Sequence, residues 1–149
     1  MKKRTNQDRF QNALNEHFGF LTDKFGFIKI PEYQYVYEVH NDYVKPGLII
    51  KIIYDGGFWV NILKPNFSVE EIIKGEKRTN NYALNKYNLY NLKNLDLDKS
   101  IYNSVSANNF PDKDLWYFSK LLKENPEILN GNTKKLTWIY RLMKKIGIS

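Results

Sequence analysis

The segment IIKIIYDGGFWVNIL, residues 49–63, contains two apolar runs on either side of Asp55-Gly56-Gly57. Residues 48–54 are apolar on both faces except at Lys51, as in a central strand that is covered on both sides. Asp-Gly is a strong signal for a tight hairpin, because Gly accepts positive φ and Asp tolerates it. A phosphate-binding loop would need a helix after the glycines, whereas a β-branched and aromatic run follows here. The segment therefore predicts a β-hairpin and not a phosphate site.

The preceding segment, YQYVYEVH (33–40), alternates as a half-buried strand does. One side holds Tyr33, Tyr35, Tyr37 and Val39, and the other holds Gln34, Val36, Glu38 and His40. We expect the tyrosine side to face the core, because Gln34 and Glu38 occupy the opposite side. The alternative is an exposed aromatic face that stacks nucleic-acid bases. Asn41-Asp42 is predicted to turn the chain after this strand, and Pro46-Gly47 leads into the next one.

Helical periodicity marks the N-terminal part of the chain. Residues 5–25 predict a helix that Gly26 ends, and a break at Gly19 is an alternative because glycine weakens helix interiors. Further along, Ser68 and Glu71 form a capping-box pattern that predicts a short helix stopping near Gly75.

The last forty residues are predicted to be helical. Asp112 is expected to cap a helix through Lys123, and Pro126 ends it. A short turn then runs to Gly131, and Thr133 begins the final helix. The predicted buried residues are Leu115, Phe118, Leu121 and Leu122 in the first helix, and Leu136, Ile139, Tyr140, Met143 and Ile146 in the final one.

Residues 76–109 show no lasting period. We expect 79–95 to be irregular or partly helical and 96–109 to be a loop, which makes this region a candidate binding surface on the general tendency of loops. The whole pattern predicts a single α+β domain over residues 1–149. It consists of an N-terminal helix, an antiparallel β-meander of three to four strands, and C-terminal helices.

Composition limits the class of protein. The 149 residues are 42% apolar and include no cysteine, so disulfides, thiolate metal sites and a cysteine nucleophile are excluded. The N-terminus lacks the apolar run of a secretory signal, and Lys51 interrupts the longest apolar run well short of a membrane span. We therefore expect a cytoplasmic protein with no membrane association.

The formal net charge of +7 is unevenly distributed. Residues 2–4 contribute +3 and residues 120–149 contribute +5, whereas residues 5–119 contribute −1. The basic excess therefore lies at the two ends. It indicates either an acidic or polyanionic partner or the Asn, Lys, Ile and Tyr bias that AT-rich coding produces.

Residues capable of catalysis form no recognisable constellation. His17 and His40 lie far apart and outside any zinc-binding spacing. The acidic pairs Glu70/Glu71 and Asp112/Asp114 fit helix starts, and Asp96/Asp98 is predicted to lie in a loop, where it could bind a cation. We therefore expect no metal and no cofactor, and a protein that is not an enzyme.

The final helix carries the strongest binding signal. Four of its basic residues and one tryptophan share about a third of the helix circumference, opposite the apolar stripe. These residues are Lys134, Trp138, Arg141, Lys144 and Lys145. We predict that Trp138 is partly exposed within a basic patch. It either packs under Lys and Arg stems or anchors an acidic partner, since Trp and Arg are enriched in binding hot spots.

Three features together resemble a group of small bacterial α+β proteins of unknown function. They are FGF near the end of the N-terminal helix, IIKIIYDGGFWVNI (49–62), and LLKENPEILNGNTKKL (121–136) before the last helix. Some proteins of this group are encoded next to polymorphic or contact-dependent toxins and are regarded as immunity proteins. The resemblance implies a protein that acts by binding, so it transfers no active residue. The basic charge departs from the acidic balance that is common where the partner is a nuclease toxin.

The resulting hypothesis is a cytoplasmic interaction protein that binds and blocks a cognate bacterial toxin with an acidic surface. The alternative is a nucleic-acid-binding protein that uses the basic C-terminal helix. An enzyme whose site is assembled from distant positions comes third.

Overall fold

An antiparallel sheet occupies the centre of the computed structural model, which describes residues 6–55, 57–65, 68–74, 89–105 and 111–147. Its strands are β1 (Ile28–Lys29), β2 (Tyr33–Tyr35), β3 (Glu38–Lys45), β4 (Leu48–Tyr54), β5 (Phe58–Leu63) and β6 (Leu89–Asn91). The order across the sheet is β1-β3-β4-β5-β6, and β2 pairs with β3 along the same edge as β1. The sheet thus contains more strands than the three to four predicted.

In the sequence, two helices precede the strands, one lies between β5 and β6, and the others follow β6. They are α1 (Asn6–Phe18), α2 (Phe20–Phe25), α3 (Val69–Ile73), α4 (Ser100–Ser104), α5 (Asp112–Lys123), α6 (Pro126–Leu129) and α7 (Lys134–Lys145), with a 3₁₀ helix at Leu92–Leu95. An N-terminal helix, an antiparallel sheet and C-terminal helices make the fold α+β, as the sequence predicts.

The two faces of the sheet pack against different partners. The main core joins one face to α1, α5, α6 and α7, and includes Phe10, Leu14, Ile50, Ile52, Val60, Ile62, Leu115, Leu121 and Leu136. A smaller cluster on the other face consists of Ile30, Val44, Ile49, Leu63 and Ile72. Because side chains alternate along a strand, neighbours such as Ile49 and Ile50 belong to different clusters.

Two tight turns join the central strands β3, β4 and β5, and the turn between Tyr54 and Phe58 confirms the sequence prediction. Lys45 pairs with Leu48 around Pro46-Gly47, where the φ of Gly47 is +74°, as the third position of a type II turn requires. Tyr54 pairs with Phe58, so residues 55–57 join β4 to β5. The Gly57 amide donates to Asp55 Oδ1 over 3.3 Å. Since a strand and not a helix follows, the segment is a turn.

The segment 33–40 was predicted to be one strand, but in the structure it forms a hairpin. Tyr35 pairs with Glu38, and the chain reverses at Val36 and Tyr37. Val36 takes a left-handed φ of +57° and Tyr37 is 88% exposed, so the prediction that Tyr37 faces the core is wrong. The turn was missed because Val and Tyr are not turn-forming residues.

The reversal at Val36 also changes the register of the next strand. The residues Asn41 and Asp42, predicted to form a turn, lie in the middle of β3 and are buried. Tyr33 is half-buried, and the side chain of Tyr35 lies outside the described part of the structure. The prediction that alternating tyrosines form one core face is therefore wrong.

The N-terminal helix breaks at Gly19, the alternative considered from the sequence. The Thr22 hydroxyl donates to the Gly19 carbonyl over 2.9 Å, and α2 ends at Gly26 with a left-handed φ of +73°. The short helix α3 has the predicted capping box, with Ser68 and Glu71 bonded reciprocally.

The C-terminal helices lie where they were predicted, with two differences. Asp112 is the first residue of α5 and Pro111 precedes it as the N-cap. In α7, Leu136 and Ile139 are buried, whereas Tyr140 is 45% and Ile146 58% exposed. The prediction of a wide buried stripe is wrong because α7 packs mainly on the 3₁₀ helix and β6. These two elements cover only a narrow strip of the surface of α7.

The stretch between the sheet and α5 is more regular than expected. It contains β6, the 3₁₀ helix and α4, although 96–109 was predicted as loop. Residues 75–88 and 106–110 of this stretch lie outside the described residues.

A buried ammonium group organises the middle of the sheet. Lys51 is 3% exposed, and its Nζ lies 3.0 Å from Asp42 Oδ1. The same atom donates to Tyr33 Oη and lies within hydrogen-bond distance of His40 Nδ1, each at 2.8 Å. Tyr33 in turn donates to Asp42 Oδ2 over 2.9 Å. We call these four residues the Lys51 network.

The network determines the protonation of His40. The Nδ1 atom of His40 accepts a hydrogen bond from the Lys51 ammonium. The proton of the neutral ring therefore lies on Nε2, which is 3.1 Å from Glu38 Oε1. Burial and then the Lys51 charge lower the pKa of His40 below its usual 6.5. Burial also lowers the pKa of Lys51, and Asp42 opposes that shift. His40 is therefore neutral in the folded protein.

Replacing Asp42 with Asn should destabilise the fold by about 3–5 kcal/mol, because it leaves the Lys51 ammonium buried without its counter-charge. Urea unfolding measures the change. The matched control is Glu70→Gln on α3, where the carboxylate is exposed and the change should stay within about 0.5 kcal/mol. Equal losses in the two variants would show that the ion pair does not hold the sheet.

Stability should fall as the pH decreases from 7.5 to 5.5. The folded state holds the pKa of His40 below 6.5, so the unfolded chain takes up the proton first. The contribution of His40 to the free energy of unfolding is therefore fully present above the pKa of His40 in the unfolded chain, and it is lost as the pH falls below that pKa. In His40→Gln this contribution is absent, since the amide can accept from Lys51 without titrating. Identical pH profiles of unfolding free energy for the two proteins would contradict this account.

Candidate functional site

An open groove of about 660 Å³ lies between the end of β5 and the start of α7. Residues 130–133 form one wall, and Lys64, Lys134, Thr137, Trp138 and Arg141 complete the lining. We call this the basic groove. It joins two parts of the chain that are about seventy residues apart in sequence.

Local sequence determines the shape of the loop wall. The chain reverses after α6 at Gly131, whose φ of +93° suits glycine and whose amide donates to the Ile128 carbonyl over 2.9 Å. The Asn132 side chain accepts from the Lys134 amide over 3.2 Å, which fixes the first turn of α7. Thr133 at this junction is buried, only 3% exposed, and its carbonyl accepts from the Thr137 amide over 3.0 Å.

The electrostatic character of the basic groove is one-sided. Its lining holds three cations, from Lys64, Lys134 and Arg141, and no carboxylate. Within the described part of the chain, none of these three side chains forms an ion pair. Three converging cations without counter-charges attract carboxylates or phosphates, and the planar Arg141 guanidinium can hold either in two-point fashion.

Trp138 supplies apolar surface at the same place. It is 62% exposed, which confirms the prediction of partial exposure. Lys134, Trp138 and Arg141 follow one another at spacings of four and three, so they share one face of α7. This places a large exposed ring between two cations.

The structure brings together part of the predicted patch. Lys134, Trp138 and Arg141 line the groove, whereas Lys144 and Lys145 are exposed on the last turn of α7 outside its lining. Lys64 was not predicted. It reaches the groove because β5 ends beside α7, and no pattern in the sequence signals that contact.

The acidic pair Asp96/Asp98 has a structural role. Asp96 accepts from the amides of Ile101 and Tyr102, at 3.1 and 2.8 Å, and so holds the start of α4. Asp98 accepts from the Ser100 amide over 3.0 Å, and this bond lowers the pKa of Asp98. The loop pair considered as a cation site is therefore bonded to backbone amides.

The Lys51 network contains residue types that occur in active sites, but its charged and imidazole side chains are buried and a substrate cannot reach them. Its ammonium contacts Asp42, Tyr33 and His40, and the residues Lys51, Asp42 and His40 are each at most 3% exposed. A nucleophile or general base must reach its substrate within hydrogen-bond distance. The network is therefore suited to holding the sheet.

His17 has neighbours that the sequence did not reveal. Its Nε2 lies 3.2 Å from Asp112 Oδ1, across the contact between α1 and α5, and Glu16 is close to both. These residues are separate from the lining of the basic groove.

Among the described residues, no helix combines the length and apolar character of a membrane span. Comparison with known proteins gives no match to a family model, a curated protein or a solved structure.

Proposed function

We propose that the protein is a non-catalytic binding protein whose basic groove receives an acidic segment of a partner protein. The single observation that carries this proposal is the exposed Trp138 among three cations that lack ion-pair partners in the described structure. Trp and Arg are the residues most enriched where binding energy concentrates, and a groove lets the partner surround them.

The lining favours binding over catalysis. General acid–base catalysis usually needs an imidazole or a carboxylate close to the substrate. The described lining contains neither, but holds Lys, Arg, Thr and Asn side chains with one indole. Such groups can orient an anion and contact apolar surface without exchanging protons with it.

The kind of partner follows from the resemblance to immunity proteins together with the groove. We propose that the partner is a cognate bacterial toxin with an acidic surface, and that binding blocks the toxin by covering its site. We also propose that the protein acts in the cytoplasm. The proposal needs no cofactor.

Nucleic acid is the second candidate, because α7 contains five cations and no acidic residue. Single-strand binding proteins usually combine such charge with several aromatic platforms along a track. The groove offers one aromatic side chain among its described lining residues, and the Lys135 ammonium turns away to donate to Asn125 Oδ1 over 2.7 Å. A compact groove therefore fits an acidic peptide segment better.

Trp138→Ala should weaken binding of the partner by about 2 kcal/mol or more, which is roughly thirtyfold in Kd. The melting temperature should remain nearly unchanged, because most of the ring is exposed. Calorimetric titration against the polypeptide encoded beside this gene measures the change. Trp59→Ala, which alters a 48% exposed tryptophan outside the groove lining, is the control and should bind normally.

Two results would contradict the role of Trp138. One is equal weakening in the Trp59 and Trp138 variants. The other is a large fall in the melting temperature of Trp138→Ala, which would make the helix part of the scaffold.

Reversing the charge of the groove should abolish protection in cells. Bacteria that express the neighbouring toxin gene should grow when the wild-type protein is coexpressed, and should stop growing with Lys134→Glu/Arg141→Glu. Lys24→Glu on α2 changes an exposed cation away from the groove and should still protect. Growth arrest with the wild-type protein, or full protection by the double variant, would contradict the proposed function.

A labelled oligoglutamate peptide and a labelled single-stranded DNA of equal length distinguish the two candidate partners. Fluorescence anisotropy at several salt concentrations should show tighter binding of the peptide, lost in Lys134→Glu/Arg141→Glu. Tighter binding of the DNA, with an affinity that falls steeply with salt, would support the nucleic-acid candidate instead.

A further inference from the structure

One imidazole and two carboxylates lie together where α1 packs on α5. Glu16 and His17 lie near the end of α1, and Asp112 is the first residue of α5. One nitrogen or oxygen atom from each of the three side chains lies within 4.8 Å of the others. His17 and Asp112 are 95 positions apart in sequence, so only the packing of α1 on α5 brings them together.

The separation of two of these atoms already suits a bound metal ion. Neighbouring ligand atoms placed about 2.0–2.1 Å from a metal are roughly 2.8–3.4 Å apart, with octahedral geometry at the short end and tetrahedral geometry at the long end. His17 Nε2 and Asp112 Oδ1 are 3.2 Å apart. Glu16 is exposed, so its flexible side chain can close the remaining distance by rotating.

The surroundings support the imidazole and leave the site accessible. The Trp116 ring stacks on His17, with centroids 6.1 Å apart and planes 12° from parallel, which holds the orientation of the imidazole. The His17 side chain is 13% exposed and that of Asp112 is 53% exposed. An ion can therefore arrive from solvent at a partly fixed nitrogen ligand.

We propose that Glu16, His17 and Asp112 form a binding site for a divalent transition metal such as Zn²⁺. An imidazole nitrogen favours Zn²⁺ over Mg²⁺ and Ca²⁺, which prefer oxygen ligands alone. Three protein ligands leave a further position for water. The bound ion ties α1 to α5. The site is separate from the basic groove and does not depend on the proposed function.

Zinc should stabilise the intact protein because it binds the folded state, in which α1 and α5 are packed together. Protein treated with a chelator and then dialysed is melted with Zn²⁺ or Mg²⁺ at a concentration about a hundredfold above the Kd found for Zn²⁺ by equilibrium dialysis. We expect one Zn²⁺ per chain and a rise in melting temperature on the order of 5 °C with Zn²⁺. Mg²⁺ should give no such rise.

Three variants test the ligands. His17→Gln, Asp112→Asn and Glu16→Gln should each weaken Zn²⁺ binding by about tenfold or more, because loss of a supporting partner alone typically has an effect of that size. Glu16 and Asp112 are exposed, so their variants should fold even if His17→Gln does not. Glu124→Gln, an exposed change just after α5, is the control and should bind Zn²⁺ as the wild type does.

The proposal is overturned if dialysis shows no stoichiometric Zn²⁺ in the wild-type protein. It is also overturned if Asp112→Asn and Glu16→Gln retain both the affinity and the thermal shift, since the ion would then be bound elsewhere.

Discussion

The ammonium of Lys51 is the constraint on which the sheet depends. Lys51 pairs with Asp42 on β3 and with Asn61 on β5, so three strands meet at this one charge. A slip of one residue would turn every side chain of a strand to the opposite face. It would place a charge in the main core and Ile50 and Ile52 on the wrong side. A buried charge that finds its acceptors in only one register therefore opposes any other pairing.

The register fixed at Lys51 extends to the surface that carries the proposed function. With Asn61 opposite Lys51, β5 ends at Leu63, which lies in the small core cluster, and the next residue, Lys64, lines the basic groove. The helix α7 packs on β6 and the 3₁₀ helix, so Trp138 and Arg141 face outward. A closed polar network inside the sheet and an open cationic groove outside it are thus linked through one strand.

The sequence predicted the parts of the fold that depend on neighbouring residues. The hairpin at residues 55–57, the capping box at Ser68 and the extent of α5 all follow from local turn, cap and periodicity signals. The exposure of Trp138 could be predicted because a helical wheel needs only the helix itself. In α7 the same reasoning failed for Tyr140, because the width of the buried stripe depends on what packs against it.

Features that depend on distant residues could not be predicted. The turn at Val36 lacks turn-forming residues, so the sequence predicts one continuous strand there. As a result Asp42 is predicted to lie in a turn, although it lies in β3. In the sequence Lys51 interrupts an apolar strand, but its partners can be identified only once the register of β3 is known. Lys64 in the groove, and His17 beside Asp112, likewise depend on packing between separate elements.

The most direct test of the central claim uses the three tryptophans as separate reporters. Trp138 lines the basic groove, Trp116 stacks on His17, and Trp59 lies on β5, so their indole N–H signals report on three different surfaces. A ¹H–¹⁵N NMR titration with an oligoglutamate peptide should shift the Trp138 indole signal and the amides of residues 130–134, while the other two indole signals stay in place. Shifts at Trp59 or Trp116 without any at Trp138 would contradict the claim that the basic groove is the surface that receives an acidic partner.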